Sequence, residues 1–138
     1  DPEFLPVENE DWGRVKYRRE KSEQCQLIYE GRIRETSQGF EVTIDARGTE
    51  GVPLAVEINL RGGGEVSGVA PVPGIGDAFL LNDGFAGYRM GSDAIRFGPG
   101  HAEHAYVQVR GAAPKLPGPS VYLTGFTPFQ HTLSFQMG

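Results

Sequence analysis

The sequence predicts an all-β protein, an antiparallel two-sheet β-sandwich of jelly-roll or Greek-key type, and two observations lead to this prediction. First, 20 Gly and 10 Pro are spread along the 138 residues and separate short segments. Long helices do not tolerate glycine and proline at this density. Second, apolar and polar residues alternate within those segments, as they do when one face of a strand is buried and the other is solvated. Sheets of this kind each bury one side, and two of them pack face to face.

The first two strands are predicted over residues 27–34 and 40–45. Leu27, Tyr29 and Ile33 share one phase of the first segment. The second segment alternates Phe40, Val42 and Ile44 with Glu41, Thr43 and Asp45. Residues 36–39 (TSQG) between them have the composition of a hairpin turn, since the final Gly accepts a positive φ.

The clearest strand covers residues 54–61. Its inward set is Leu54, Val56, Ile58 and Leu60, and its outward set is Ala55, Glu57, Asn59 and Arg61. The triple glycine at 62–64 ends or bends this strand, because glycine weakens strand interiors.

The later strands are shorter and separated by turns. After a short strand and a long loop, a hairpin-like NDG at 82–84 precedes strands around 85–90 and 94–97. A strand over 104–110 has Ala105, Val107 and Val109 as its inner set. The closing strands are SVYLTGF at 120–126 and HTLSFQ at 131–136.

The domain organisation follows from length and composition. A chain of 138 residues fits one domain with a core of its own. Residues 1–4 (DPEF) are typical of a cloning vector, which predicts that the chain was cut from a longer protein. Residues 5–24 are expected to be a polar arm or linker, in which Trp12 either anchors the arm or offers a platform for stacking on a sugar. Residues 25–138 are the predicted sandwich domain.

Charge and cysteine content narrow the function classes. The net charge of −5 argues against a nucleic-acid partner, which would need clustered Lys and Arg. The single Cys25 excludes an intrachain disulfide and a cysteine-based metal site. No run approaches the roughly 18 apolar residues of a membrane helix, so no membrane partner is predicted. The compartment stays open, with an extracytoplasmic or secreted location slightly favoured.

His101 and His104 raise the question of a metal site. Residues three apart on a strand point to opposite faces, so the two imidazoles are not expected to share an ion. We therefore predict no metal. The alternative is a small cupin-like metal-dependent enzyme that uses His101, His104 and His131 with a carboxylate.

Enzyme motifs are weak throughout. The GGGEVSG stretch lacks the Lys-Ser/Thr of a phosphate loop, and PGIGDAF holds only a Gly-x-Gly. No Gly-x-Ser-x-Gly elbow occurs. The sequence predicts no cofactor and no catalytic residue.

The outward strand positions suggest a carbohydrate site. One predicted row is His104, Tyr106, Gln108 and Arg110, and a second is Glu57, Asn59 and Arg61. Planar polar groups beside an aromatic ring suit sugar hydroxyls and the apolar sugar face, and Arg suits a carboxylate. The alternative is a solvated face or one packed against a neighbouring domain.

A third hypothesis is a protein-interaction or assembly module. It rests on Phe126, Pro128 and Phe129 in TGFTPF, which form either an exposed apolar patch or a lid over one end of the core.

The segments GTEGVPLAVEINLRGGG, IRFGPGHAEHAYVQVRG and YLTGFTPFQHTLSF carry a resemblance. In strand pattern and length, residues 25–136 resemble C-terminal β-sandwich modules of bacterial polysaccharide-degrading proteins of heparinase II/III type. The resemblance implies a non-catalytic accessory module that binds polysaccharide or oligosaccharide, or supports neighbouring domains of its parent chain. It transfers no catalytic residue.

Overall fold

A computed structural model describes residues 26–105 and 116–138, together with the backbone of residues 8–9 and 13–19. The described residues form strands joined by turns and contain no helix. The strands are β1 (Glu8–Asn9), β2 (Gly13–Arg19), β3 (Leu27–Thr36), β4 (Gly39–Gly48), β5 (Pro53–Asn59), β6 (Glu65–Ser67), β7 (Ala70–Pro71), β8 (Ala78–Leu80), β9 (Ala86–Met90), β10 (Asp93–Gly98), β11 (Ser120–Phe126) and β12 (Phe129–Met137). No described segment forms a helix of the length and hydropathy needed to cross a membrane.

The strands form two six-stranded sheets, which confirms the predicted all-β sandwich. Sheet A has the order β1-β2-β5-β11-β8-β7, and sheet B has the order β3-β4-β12-β10-β9-β6. The strand pairs described in sheet B are antiparallel. Sheet A departs from the prediction in one place, because β8 runs parallel to β11. Strands distant in sequence lie side by side, such as β12 between β4 and β10, as expected for the predicted jelly-roll or Greek-key type.

The main core fills the space between the sheets. Every second residue of the strands in both sheets points into this core. The alternation of apolar and polar residues in the sequence therefore matches the alternation of buried and exposed residues in the structure. Its buried members are Val42, Ile44, Ala46, Leu54, Val56, Ile58, Leu60, Leu81, Ala86, Tyr88, Ile95, Phe97, Val121, Leu123, Phe129, Leu133 and Phe135. Phe135 stacks between Phe40 at 4.8 Å and Phe97 at 5.5 Å, measured between ring centroids.

The β3–β4 hairpin forms as predicted, with Ser37 and Gln38 as its two turn residues. The NDG at 82–84 is not a hairpin, because it joins β8 of sheet A to β9 of sheet B. The hairpin in this region is instead β9–β10, which turns at Gly91 with a φ of 62°. A φ in this range favours glycine.

Part of the predicted N-terminal arm belongs to the sandwich. β1 and β2 lie within residues 5–24, and β2 pairs with β5 in sheet A with Val15 opposite Ile58. The sequence of β2, GRVKYRR, is mostly charged and was therefore not predicted to be a strand. A strand can pair with a sheet through its backbone without a row of apolar side chains.

Sheet A also corrects the prediction that residues 55, 57 and 59 form a solvated face. Ala55 and Glu57 are 0% and 1% exposed. A second cluster of buried residues covers this outer face: Ala55, Val72, Ala78 and Tyr122, with Ile75 and Leu80 packed against it. β5 and β11 are therefore buried on both faces.

Leu123→Ala tests the importance of this doubly buried strand pair. Leu123 is fully buried in the main core, so its truncation should lower the free energy of unfolding by about 2–5 kcal/mol. Urea denaturation followed by circular dichroism measures the loss. Met137→Ala is the control, since Met137 is 62% exposed, and it should change stability by no more than about 0.5 kcal/mol. Equal stabilities of the two variants would contradict the core assignment.

Candidate functional site

β8 ends at Leu80, and beyond this point the segment 101–104 takes its place beside β11. The His101 amide donates to the Leu81 carbonyl at 2.9 Å, and the Thr124 amide donates to the His101 carbonyl at 3.0 Å. Ala102 forms an isolated parallel bridge with Thr124. The strand predicted over 104–110 does not begin at His104: neither His104 nor Ala105 is in a strand, and Ala105 is exposed rather than inward-facing.

The three histidines do not converge. The His101 and His131 rings are 5.9 Å apart, whereas the His104 ring packs against Phe126 at 4.9 Å. His131 Nε2 donates to the Pro99 carbonyl at 2.6 Å, and His104 Nε2 donates to the Gly125 carbonyl at 2.9 Å. Within residues 26–105 and 116–138, no group of three or more His, Cys, Asp or Glu side chains is arranged to hold a metal ion.

His101 has a carboxylate partner. Its Nε2 lies 2.7 Å from Glu103 Oε2, and the two side chains are 42% and 43% exposed. A hydrogen bond this exposed contributes little stability, because water competes for both groups and two side chains lose freedom. The contact between His101 and Glu103 therefore lies on the protein surface.

Glu57 is a structural residue rather than a surface ligand. Its Oε2 accepts hydrogen bonds from Ser120 Oγ at 2.8 Å and from the Tyr122 hydroxyl at 3.3 Å, all three residues being buried. Asn59 is half-buried, and its Nδ2 donates to the Pro117 carbonyl and to Ser120 Oγ at 3.1 Å each. Of this predicted row, only Arg61 is exposed, and the buried Glu57 carboxylate is not accessible to a ligand.

Several predicted site residues lie outside the part of the chain that the structure describes. They are Trp12, Tyr106, Gln108 and Arg110. The row proposed around His104 is therefore represented by His104 alone, and the Cys25 thiol is likewise outside the described residues.

The TGFTPF segment closes one end of the sandwich. Phe129 is 6% exposed and belongs to the main core, Phe126 is half-buried, and Pro128 is exposed. The buried Thr127 hydroxyl donates to the Thr49 carbonyl and accepts from the Val52 amide, tying this end to the start of β5. This arrangement corresponds to a lid over the core, with Pro128 alone of the three exposed.

A cleft of about 800 Å³ lies along the β6 edge of the sandwich. β6, β9 and β10 line most of it, and Asp77, Phe79 and Pro119 approach from sheet A. The volume is within the range of small-molecule sites. No residue of this cleft was predicted as a site residue.

Two arginines dominate the cleft. Arg96 stacks on Phe85, with Cζ 3.9 Å from the ring centroid. Arg89 lies on the neighbouring strand, because the register pairs Arg96 with Gly87 and Ala94 with Arg89. This diagonal relation separates the Cα atoms by roughly 7–8 Å. Both side chains are exposed, and neither has an ion pair among the described residues.

Small residues form the floor between these cations. Gly87 lies opposite both Ser67 of β6 and Arg96 of β10. A Cβ added at Gly87 would meet Ser67 Oγ at 2.9 Å, so the absence of a side chain keeps this depression open. Glu65, opposite Arg89, supplies a carboxylate at the rim.

The cleft combines donors, acceptors and a ring. A guanidinium whose face rests on an aromatic ring keeps its edge N–H groups free to donate in pairs to carboxylate or hydroxyl oxygens. Glu65 and Ser67 add acceptors within the same short strand. The site can therefore hold a polyhydroxylated or anionic ligand, and its described lining contains no histidine or cysteine.

Comparison of the chain with protein-family profiles, with curated proteins and with solved structures gave no match.

Glu57→Ala tests the assignment of Glu57 as a structural residue. The change removes the acceptor of two buried hydroxyls, so it should lower the free energy of unfolding by about 1–3 kcal/mol. Glu57→Gln keeps a side-chain oxygen and should lose less. Thermal and urea unfolding measure both variants, and an alanine variant as stable as the unmodified protein would contradict the assignment.

Proposed function

We propose that this chain is a non-catalytic β-sandwich module of a larger carbohydrate-active protein, and that it binds saccharide in the cleft along β6, β9 and β10. The observation that carries the proposal is Arg96 stacked on Phe85 beside the open floor at Gly87. The guanidinium is held in place before a ligand arrives, which lowers the entropy cost of binding.

The chemistry of the cleft suits sugars. Sugar hydroxyls both donate and accept hydrogen bonds, and Arg89, Arg96, Glu65 and Ser67 offer both functions. Apolar sugar faces pack on rings, and Phe79 and Phe85 are partly exposed within the same cleft. The guanidinium groups of Arg89 and Arg96 have no ion pair among the described residues, and they additionally favour a saccharide that carries carboxylate or sulfate.

The alternatives from the sequence receive less support. A cupin-like metal enzyme needs three or four convergent ligands, whereas His104 and His131 each donate Nε2 to a different backbone carbonyl. The lid formed by Phe126 and Phe129 offers little exposed apolar surface for assembly.

Arg96→Ala provides the direct test. The purified chain is screened by affinity gel electrophoresis against neutral, uronate-bearing and sulfated polysaccharides, and affinity for the retained ligand is measured by calorimetry. Loss of paired charge-assisted hydrogen bonds should weaken binding at least about tenfold. Gly87→Leu should also weaken it, because the added side chain fills the floor of the cleft.

Arg47→Ala is the matched control. Arg47 is an exposed arginine on the same sheet, 3.1 Å from Asp45 and outside the cleft, so this variant should bind normally. If no polysaccharide is retained, or if the Arg96 and Arg47 variants bind alike, the saccharide site is wrong and only a supporting role within a larger protein remains.

A further inference from the structure

The face of sheet B that carries the cleft continues onto β12. The strand registers place four residues side by side on β6, β9, β10 and β12: Ser67, Gly87, Arg96 and Gln136. Residues directly opposite each other on antiparallel strands share one face of the sheet, with Cβ atoms about 4.5–5.5 Å apart. Gln136 is therefore the neighbour of Arg96 on the side away from the cleft floor, and it lies just outside the described lining of the cleft.

The Phe85 ring connects the cleft to β12. Arg96 stacks on this ring, and a Cβ added at Gly98 would meet Phe85 Cδ2 at 3.0 Å, so the ring also lies beside Gly98. Gly98 lies opposite Ser134. Ser134 and Gln136 share one face of β12, because alternate residues of a strand point the same way. An aromatic ring, a guanidinium, a hydroxyl and an amide are therefore neighbours on one face of the sheet.

The two polar side chains of β12 are held in place but are not used within the protein. Among the residues that the structure describes, the side chains of Ser134 and Gln136 take part in no hydrogen bond or ion pair. Gly39 lies opposite Gln136 on β4, and a Cβ added there would clash with the Phe135 carbonyl, so this side of Gln136 stays uncovered. β12 has β4 and β10 as its neighbours, and a strand paired on both sides positions its side chains precisely.

We infer that Gln136 and Ser134 form a second saccharide subsite beside the one in the cleft. The inference rests on the proposed saccharide function and names its ligand class, a linear oligosaccharide of at least two units that lies across the strands. One sugar occupies the floor at Gly87, and the next sugar lies over β12. Gly87 and Gln136 are two strands apart, roughly 9–10 Å, a distance that two linked sugar rings span and a single ring does not.

The second subsite recognises hydroxyl groups rather than charge. The Gln136 amide and the Ser134 hydroxyl each donate and accept hydrogen bonds, as sugar hydroxyls do. The next residue across the sheet from Ser134 is Glu41, whose carboxylate accepts from Arg34 at 2.7 Å, so these two charges offset each other. Because salt screens interactions between charges, the affinity that Gln136 contributes should be the same at low and at high salt.

Calorimetry with size-fractionated fragments tests the second subsite. The fragments are the single sugars, disaccharides and trisaccharides of the polysaccharide that the affinity gels retain. We expect affinity to rise at least about tenfold from the single sugars to the disaccharide, because the second sugar adds hydrogen bonds to β12. Gln136→Ala should remove most of this rise and leave the affinity for the single sugars unchanged, whereas Arg96→Ala should weaken the binding of every fragment.

Gln130→Ala is the matched control. Gln130 is an exposed glutamine on the same face of β12, at its other end and roughly 20 Å from Gln136, so this variant should bind every fragment normally. If Arg96→Ala weakens binding but Gln136→Ala does not, or if disaccharides bind no more tightly than single sugars, the second subsite is wrong and the proposed function stands. Equal losses from the two glutamine variants, or a Gln136→Ala loss that disappears at high salt, also overturn the inference. If no polysaccharide is retained, the inference falls together with the proposed function.

Discussion

The burial of both faces of the β5–β11 pair is the constraint on which the rest of the structure depends. The two strands pair from Pro53–Phe126 through Asn59–Ser120. One face enters the main core and the other enters the smaller cluster around Tyr122. A polar group in that position must find a partner, because an unsatisfied buried carboxylate is costly. Glu57 meets this requirement through the hydroxyls of Ser120 and Tyr122.

This constraint makes the two sheets unequal. The centre of sheet A is covered on its outer side, so its polar residues are used for internal hydrogen bonds. Sheet B keeps an outer face on which polar side chains such as Thr43 and Arg96 alternate with core residues. The proposed ligand site therefore lies where β6, β9 and β10 leave small residues between long cationic ones.

The sequence was sufficient for the fold class because period-two alternation and turn residues report directly on strands. It succeeded best for β4 and β12, where one face is buried and the other is not. It failed for Glu57, because alternation shows that two sets of residues point opposite ways but not what covers the second set. β2 was missed because four of its seven residues are charged, although its backbone pairs with β5.

The candidate site could not be predicted because it depends on the register between strands. Phe85 and Arg96 are eleven positions apart in sequence, and only the β9–β10 hairpin brings the ring beneath the guanidinium. A partial signal was present: arginines two residues after Gly87 and after Ala94 repeat the same small-then-cationic order. Once β9 and β10 are known to be neighbours, this order places Arg89 and Arg96 next to the small residues Gly87 and Ala94.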